Sequence, residues 1–137
     1  MKLSFKLKKS IDIVFDYLVD MQKFASAHPV ITKIAKIKDN NYLVYETLKF
    51  GFISFSFTYP VTIDSNLIEN KVIMRAVVMK FTKIEMIFVL KSDVAFPNEF
   101  TIIEEDITFK SPLPIKSIME NIFRKQHTQL FRNIELV

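Results

Sequence analysis

The 137-residue sequence contains no cysteine, no tryptophan, one glycine and two histidines. Without cysteine, the chain has neither disulfides nor thiolate chemistry. A single glycine excludes the glycine-rich loops that cradle phosphate groups. The two histidines are far apart in sequence and offer little material for a metal site. The composition therefore predicts neither a metal nor a cofactor.

Long hydrophobic runs are also missing. No apolar stretch reaches the roughly 20 residues that a membrane-spanning helix needs. The first ten residues contain four lysines spaced between apolar and polar residues, and they lack the apolar segment of a secretory signal. These observations predict a cytoplasmic protein without stable membrane insertion.

The formal net charge is +4, but the positive charge is dispersed. Nucleic-acid binding needs lysine and arginine clustered on one face, often with exposed aromatics. Here the lysines recur singly along predicted strands, as at Lys33, Lys36, Lys38, Lys71, Lys80, Lys83 and Lys91. This spacing is typical of a solvated surface and predicts no nucleic-acid partner.

What the sequence does have is hydrophobic residues, which make up 50% of it and include 14 phenylalanines. Buried phenylalanine rings remove large apolar areas from water, so they should dominate the interior. No linker, repeat or low-complexity segment interrupts the chain. We therefore expect one domain over residues 1–137.

Hydrophobic periodicity predicts the order of the secondary structure. Alternation at residues 2–8 indicates a strand, and Ser10 is a candidate N-cap for an amphipathic helix from Ile11. A short helical turn is expected at residues 23–27, before Pro29. A long helix follows Pro112 and Pro114 and runs to about Ile134. Between these helices, strands with short turns, one of them at 64–66, predict antiparallel pairing: 33–38, 42–49, 53–63, 70–78, 83–93 and 100–109.

The first third of the sequence resembles the opening of the START-like (SRPBCC) superfamily, which includes polyketide cyclases and Bet v 1-like proteins. The matching positions are Ser10, Val14, Phe15, Leu18, Asp20, Phe24, His28 and Pro29. Many relatives have tryptophan in place of Phe24 and proline in place of Ile11. The order of elements matches over the whole chain. The resemblance implies an α+β helix-grip fold: a curved seven-stranded antiparallel sheet, two short helices after strand 1 and a long C-terminal helix.

Such a fold can enclose an apolar pocket between the sheet and the long helix, and ligand pockets are mostly apolar with a few polar groups. Methionine adapts its shape to a ligand. The candidate lining residues are Tyr45, Phe55, Phe57, Tyr59, Met74, Met86, Phe88, Met119 and Phe123. The same residues would equally form a solid core. Residues 49–52 form either an apolar lip at the mouth of the cavity or, around Gly51, a bulge in one long strand.

Three polar residues break the hydrophobic pattern and are candidate ligand contacts. Glu105 shares a strand face with Thr101, Ile103 and Ile107, although an outward or bulged position is the more ordinary placement. Gln126 lies near the middle of the buried arc of the last helix, and His127 lies at its edge. That arc is defined by Ile115, Ile118, Met119, Ile122, Phe123, Leu130 and Ile134. For Asp20 we expect a local hydrogen bond, and for His28 a packing role in a loop.

Three functions are compatible with this pattern. The leading hypothesis is a binding or carrier protein for a hydrophobic small molecule such as a lipid, a polyketide-like aromatic or an isoprenoid. The second is a cyclase or dehydratase acting by proton transfer in the same cavity, with Glu105, Gln126, His127 or Tyr59 as polar groups. The third is a protein-interaction module with a packed interior. Whether the protein is a monomer or a homodimer stays open.

Overall fold

The computed structural model describes all 137 residues, apart from the side chain of Phe50. No helix in the described chain is both long enough and apolar enough to cross a membrane. Within that description, the elements follow in the order β1 (Lys2–Leu7), α1 (Ile11–Val19), α2 (Met21–Ala27), β2 (Ile31–Lys38), β3 (Asn41–Phe50), β4 (Ile53–Asn66), β5 (Lys71–Val78), β6 (Thr82–Ser92), β7 (Thr101–Lys110) and α3 (Lys116–Glu135).

The strands form one antiparallel sheet in the order β1-β7-β6-β5-β4-β3-β2. β5 and β6 alternate between buried and partly exposed residues, because successive side chains of a strand point to opposite faces of the sheet. The inner face packs against α1, α2 and α3, and the buried face of α3 includes Leu130, Phe131 and Ile134. This is the curved sheet with a long C-terminal helix that the sequence predicts.

The local signals around the two short helices are only partly as expected. Ser10 is the N-cap of α1, but its side chain makes no capping hydrogen bond. Asp20 instead caps α2, because its Oδ1 accepts hydrogen bonds from the backbone amides of Gln22 and Lys23 at 3.0 and 3.2 Å. The predicted local hydrogen bond of Asp20 therefore defines where the second helix begins.

Two local expectations were wrong, one about a turn and one about a buried residue. The predicted turn at residues 64–66 belongs to β4, which extends to Asn66 because these residues pair with the start of β5. Ile118, which the helical pattern places in the buried arc of α3, is 60% exposed. It lies in the first turn of α3, ahead of the part of the helix that is buried against the sheet.

The hairpin formed by β3 and β4 projects beyond the neighbouring strand β5. β4 pairs with β3 along residues 53–62, but with β5 only along residues 61–66. Gly51 and Phe52 make the connecting turn, in which Gly51 has φ of 62°, a conformation that glycine adopts without strain. The bulge interpretation of Gly51 was therefore wrong. The predicted apolar lip at residues 49–52 lies partly outside the described residues, because it includes the Phe50 side chain.

Candidate functional site

The interior of the protein contains a cavity of about 430 Å³ between the sheet and α3. This volume is within the range of about 300–1,000 Å³ that small-molecule sites occupy. Side chains from α2, strands β2 to β6 and α3 line it, and most of them are apolar. Five of the six methionines are among them: Met21, Met74, Met79, Met86 and Met119. The described interior is therefore not a solid core.

At its outer end the cavity opens between the tip of the β3–β4 hairpin, the turn after β5 and the first half of α3. Phe55 and Met79 line the cavity, and each is 54% exposed. Met119 and Ile122 line it from α3 and are half-buried. These four side chains mark the mouth through which a ligand would pass.

The inner end of the cavity contains two groups of polar side chains. In the first, the Tyr59 hydroxyl donates a hydrogen bond of 2.6 Å to Oε2 of Glu46, and Gln126 also bonds to Glu46. Burial raises the pKa of the Glu46 carboxyl, although both hydrogen bonds oppose this. Burial and the neighbouring Glu46 raise the pKa of the Tyr59 hydroxyl well above its usual value. The cavity thus holds a carboxyl group that is more easily protonated than an exposed one.

The second polar group centres on His127, which is 1% exposed and faces Glu105, itself 2% exposed. Nδ1 of His127 lies 2.8 Å from Oε1 of Glu105, to which it is hydrogen-bonded, and 2.6 Å from Oε2. Oε2 has no hydrogen-bond partner of its own within the described residues. The ordinary outward or bulged placement of Glu105 was wrong, because β7 runs in unbroken register with β6 and keeps this residue on the inner face.

His28 completes the inner end. It follows α2, and its Nδ1 accepts hydrogen bonds from the backbone amides of Val30 and Ile31, each at 3.3 Å. Burial, with a smaller contribution from His127, lowers the pKa of His28 to about 3. The ring centroids of His28 and His127 are 6.2 Å apart and nearly perpendicular. The packing role predicted for His28 is therefore incomplete, because its ring also lines the cavity.

The structure brings nine of the twelve predicted site residues to the cavity wall: Phe55, Phe57, Tyr59, Met74, Met86, Met119, Phe123, Gln126 and His127. Tyr45 lies on the other face of β3, where its ring contacts the ammonium of Lys33, because Val44 and Glu46 point inward. Phe88 is fully buried behind the cavity, against Phe131 and His127. Glu105 is likewise behind the wall and contacts His127 rather than the cavity.

Glu46 is the polar lining residue that the sequence analysis missed. In β3 an apolar run from Tyr42 to Tyr45 precedes Glu46, so alternation does not show which residues face inward. A shift of one residue exchanges the two faces of a strand. The apolar Leu48, two residues further on and also lining the cavity, was the available signal.

A metal site is not apparent in this arrangement. No group of three or more histidine or carboxylate side chains converges anywhere in the described part of the chain. His28 and His127 do come together, although they are 99 positions apart in the sequence. Their Nδ1 atoms are already engaged by backbone amides and by Glu105.

Comparisons with known proteins support the architecture and not a specific activity. No protein-family model matches the sequence, and no curated protein matches it by sequence. Among solved structures, Ara h 8.0201 matches with 16% identity and a TM-score of 0.74, over 98% of this chain and 93% of that chain. A START superfamily protein from Mycobacterium smegmatis matches with 15% identity and a TM-score of 0.72, over 98% and 93%. The fold is START-like.

A third similar structure is the di-domain ARO/CYC StfQ from the steffimycin biosynthetic pathway. It matches with 6% identity and a TM-score of 0.78, over 98% of this chain and 45% of that chain. At such identities the likeness concerns the START-like fold alone. The function has to be argued from the cavity.

Proposed function

We propose that this START-like protein binds a hydrophobic small molecule in the cavity between the sheet and α3. The observation that carries the proposal is the size of the cavity together with its lining. An apolar cavity of about 430 Å³ leaves many side chains without packing partners, and an apolar ligand would supply those contacts. The nine predicted residues that line the wall are the proposed ligand contacts.

The packed interior that the interaction-module hypothesis assumes does not fit this cavity. The enzymatic alternative is supported by one specific observation, the raised pKa of Glu46 in a largely apolar site. Such a carboxyl group takes up a proton at a higher pH than an exposed carboxyl group does, which suits a general acid or base. A cyclase or dehydratase reaction would then use Glu46, with Tyr59 and Gln126 positioning the carboxyl group. Binding is the more economical proposal, because it requires only the cavity.

The experiment places a large side chain inside the cavity and, as a control, at the neighbouring position of β5 outside it. Ala76 is buried and lines the cavity, whereas Val77 is 37% exposed on the opposite face. In fluorescence titrations with 1-anilinonaphthalene-8-sulfonate, we expect Ala76→Phe to weaken dye binding at least tenfold. The matched variant Val77→Phe should bind the dye like the wild type.

Circular dichroism and a urea titration show whether both variants are folded. If the folded Ala76→Phe variant takes up the dye as well as the wild type does, the dye binds outside the cavity and the proposal is wrong. A wild-type protein that takes up no dye also contradicts the proposal. Native mass spectrometry of the freshly purified protein then tests whether a natural ligand accompanies it.

A further inference from the structure

The polar side chains that line the cavity differ in how far their hydrogen-bonding groups are satisfied. Tyr59 and Gln126 each bond to Glu46, and the hydroxyl of Ser56 lies 3.0 Å from that of Thr47. The two histidines differ from this group at their Nε2 atoms. Neither Nε2 has a hydrogen-bond partner among the described side chains and backbone. These two atoms are therefore available to a ligand.

The tautomer of His28 follows from its contacts. Its Nδ1 accepts hydrogen bonds from two backbone amides, so this atom carries a lone pair and no proton. The low pKa of the ring agrees with a neutral side chain. A neutral imidazole with an unprotonated Nδ1 has its proton on Nε2. His28 therefore presents an N–H donor at its free nitrogen.

The state of His127 follows from charge balance with Glu105. Both side chains are almost fully buried, and an uncompensated charge there would be strongly unfavourable. A neutral ring that donates its Nδ1–H to a carboxylate would leave a net negative charge in the interior. Two states instead leave the pair neutral overall. In one, an imidazolium faces a carboxylate, and both ring nitrogens carry protons. In the other, the carboxylic acid donates to Nδ1 of a neutral ring, whose proton is then on Nε2. Both states make Nε2 of His127 a donor.

The separation of the two rings allows both donors to bond to the same atom. An N–H···O hydrogen bond of about 2.9 Å places the acceptor oxygen about 4 Å from the ring centroid. Since the centroids are 6.2 Å apart, one oxygen can satisfy both distances. We propose that His28 and His127 form a two-donor clamp for one acceptor oxygen, and that the ligand is an apolar molecule carrying a carbonyl group. The clamp rests on the proposed binding function and adds the chemical class of the ligand.

A carbonyl oxygen suits this clamp because it has two lone pairs and no proton. Hydrogen bonds from two N–H groups are also strongest in a site that excludes water. A hydrocarbon of the same shape would leave both donors unsatisfied, which is unfavourable for buried groups. We therefore expect the clamp to select between ligands that differ only in this oxygen.

The test uses 2-acetylnaphthalene and its hydrocarbon counterpart 2-isopropenylnaphthalene, which differ in shape only at the carbonyl. We expect the wild type to bind the ketone about tenfold more tightly. His28→Asn keeps an oxygen acceptor for the two backbone amides but removes the Nε2 donor. It should lose most of the preference, because it weakens binding of the ketone and not binding of the hydrocarbon. The infrared carbonyl stretch of the bound ketone should shift to lower frequency in the wild type and shift back in this variant.

A second variant keeps the test decisive if His28→Asn does not fold. The pair His127→Phe and Glu105→Leu removes the other donor without leaving a buried carboxylate, and it should also reduce the preference. Equal binding of ketone and hydrocarbon by the wild type overturns the clamp and leaves the apolar cavity intact. A preference that survives both variants also overturns it. If neither probe binds, the clamp and the proposed binding function are both wrong.

Discussion

At its inner end the cavity is bounded by side chains that are almost completely buried, whereas at its outer end it is bounded by a hairpin that is largely exposed. Phe88, behind the inner wall, is fully buried, and Phe52, at the hairpin tip, is 99% exposed. The inner end also contains the hydrogen-bonded polar groups around Glu46 and His127. The outer part of β4 pairs with β3 alone.

This difference indicates a division of tasks between the two ends. Dense packing and internal hydrogen bonds hold the inner side chains in one geometry, which is what ligand recognition requires. An element with few buried contacts opens at low free-energy cost, which is what ligand entry requires. We therefore expect the inner end to determine stability and selectivity, and the outer end to determine the rates of binding and release.

The largest expected effect comes from removing the same side chain at both ends. Phe88→Ala should lower the free energy of unfolding by about 4 kcal/mol, because it creates a void in a packed region. Phe52→Ala should change it by less than about 0.5 kcal/mol, because the ring is exposed. Urea denaturation followed by circular dichroism measures both values. Similar costs for the two variants would remove the distinction between the ends.

The buried pair should give the next largest effect. His127→Phe should cost about 3 kcal/mol, because Glu105 then remains buried without its partner. Adding Glu105→Leu to this variant should restore at least about 1 kcal/mol, because the unpartnered carboxyl group is removed. A double-mutant cycle by urea denaturation gives the coupling free energy. Additive effects of the two substitutions would show that the contact between these side chains contributes no stability.

His28 should make stability depend on pH. Its pKa is about 3 in the folded protein and about 6.5 when unfolded, so only the unfolded chain takes up a proton between these values. Its stabilising contribution is complete above pH 6.5 and is lost as the pH falls toward 3. Between pH 6.5 and 4.5 we expect the wild type to lose about 1–2 kcal/mol more than His28→Asn.

This comparison isolates His28, because Glu46 is present in both proteins. The raised pKa of Glu46 acts in the opposite direction, since it lowers stability as the pH rises above the unfolded value of about 4.5. Urea titrations at several pH values give the two profiles. Parallel profiles for the wild type and His28→Asn would contradict the assignment of a depressed pKa to His28.

The smallest predicted effect concerns the hydroxyl group of Tyr59. Tyr59→Phe should cost about 1 kcal/mol, because the buried Glu46 loses a hydrogen-bond donor. The pKa of Glu46 should rise further, and NMR titration of the carboxyl carbon measures it. Tyr45→Phe on the outer face of the neighbouring strand is the matched control and should leave that pKa unchanged. A change of equal size in both variants would exclude a specific role for the Tyr59 hydroxyl.

The sequence predicted those parts of the fold where one local pattern decides the structure. Alternation identified β1, and helical spacing identified α1 and most of α3. Gln126 was found because a polar residue in a buried helical arc is unusual. In β3 the apolar run before Glu46 concealed the register, so Tyr45 was assigned to the wrong face.

The pairing of His28 with His127 could not be predicted in the same way. It depends on where the end of α2 meets the middle of α3, which is a matter of tertiary packing. For Glu105, the strand pattern did indicate an inward position. The usual cost of burying a carboxyl group argued against it, because the partner that offsets this cost is 22 residues further along the chain.

The central claim, that the cavity admits an apolar molecule, can be tested directly with methionine methyl groups. In a protein labelled with carbon-13 at these methyls, 2-acetylnaphthalene should shift the NMR signals of Met21, Met74, Met79, Met86 and Met119, which line the cavity. Met1 does not line it and should keep its signal. Intermolecular NOEs from the probe to Met74 and Met86 would place it inside. Unchanged signals from these two interior methyls at saturating probe would contradict the account.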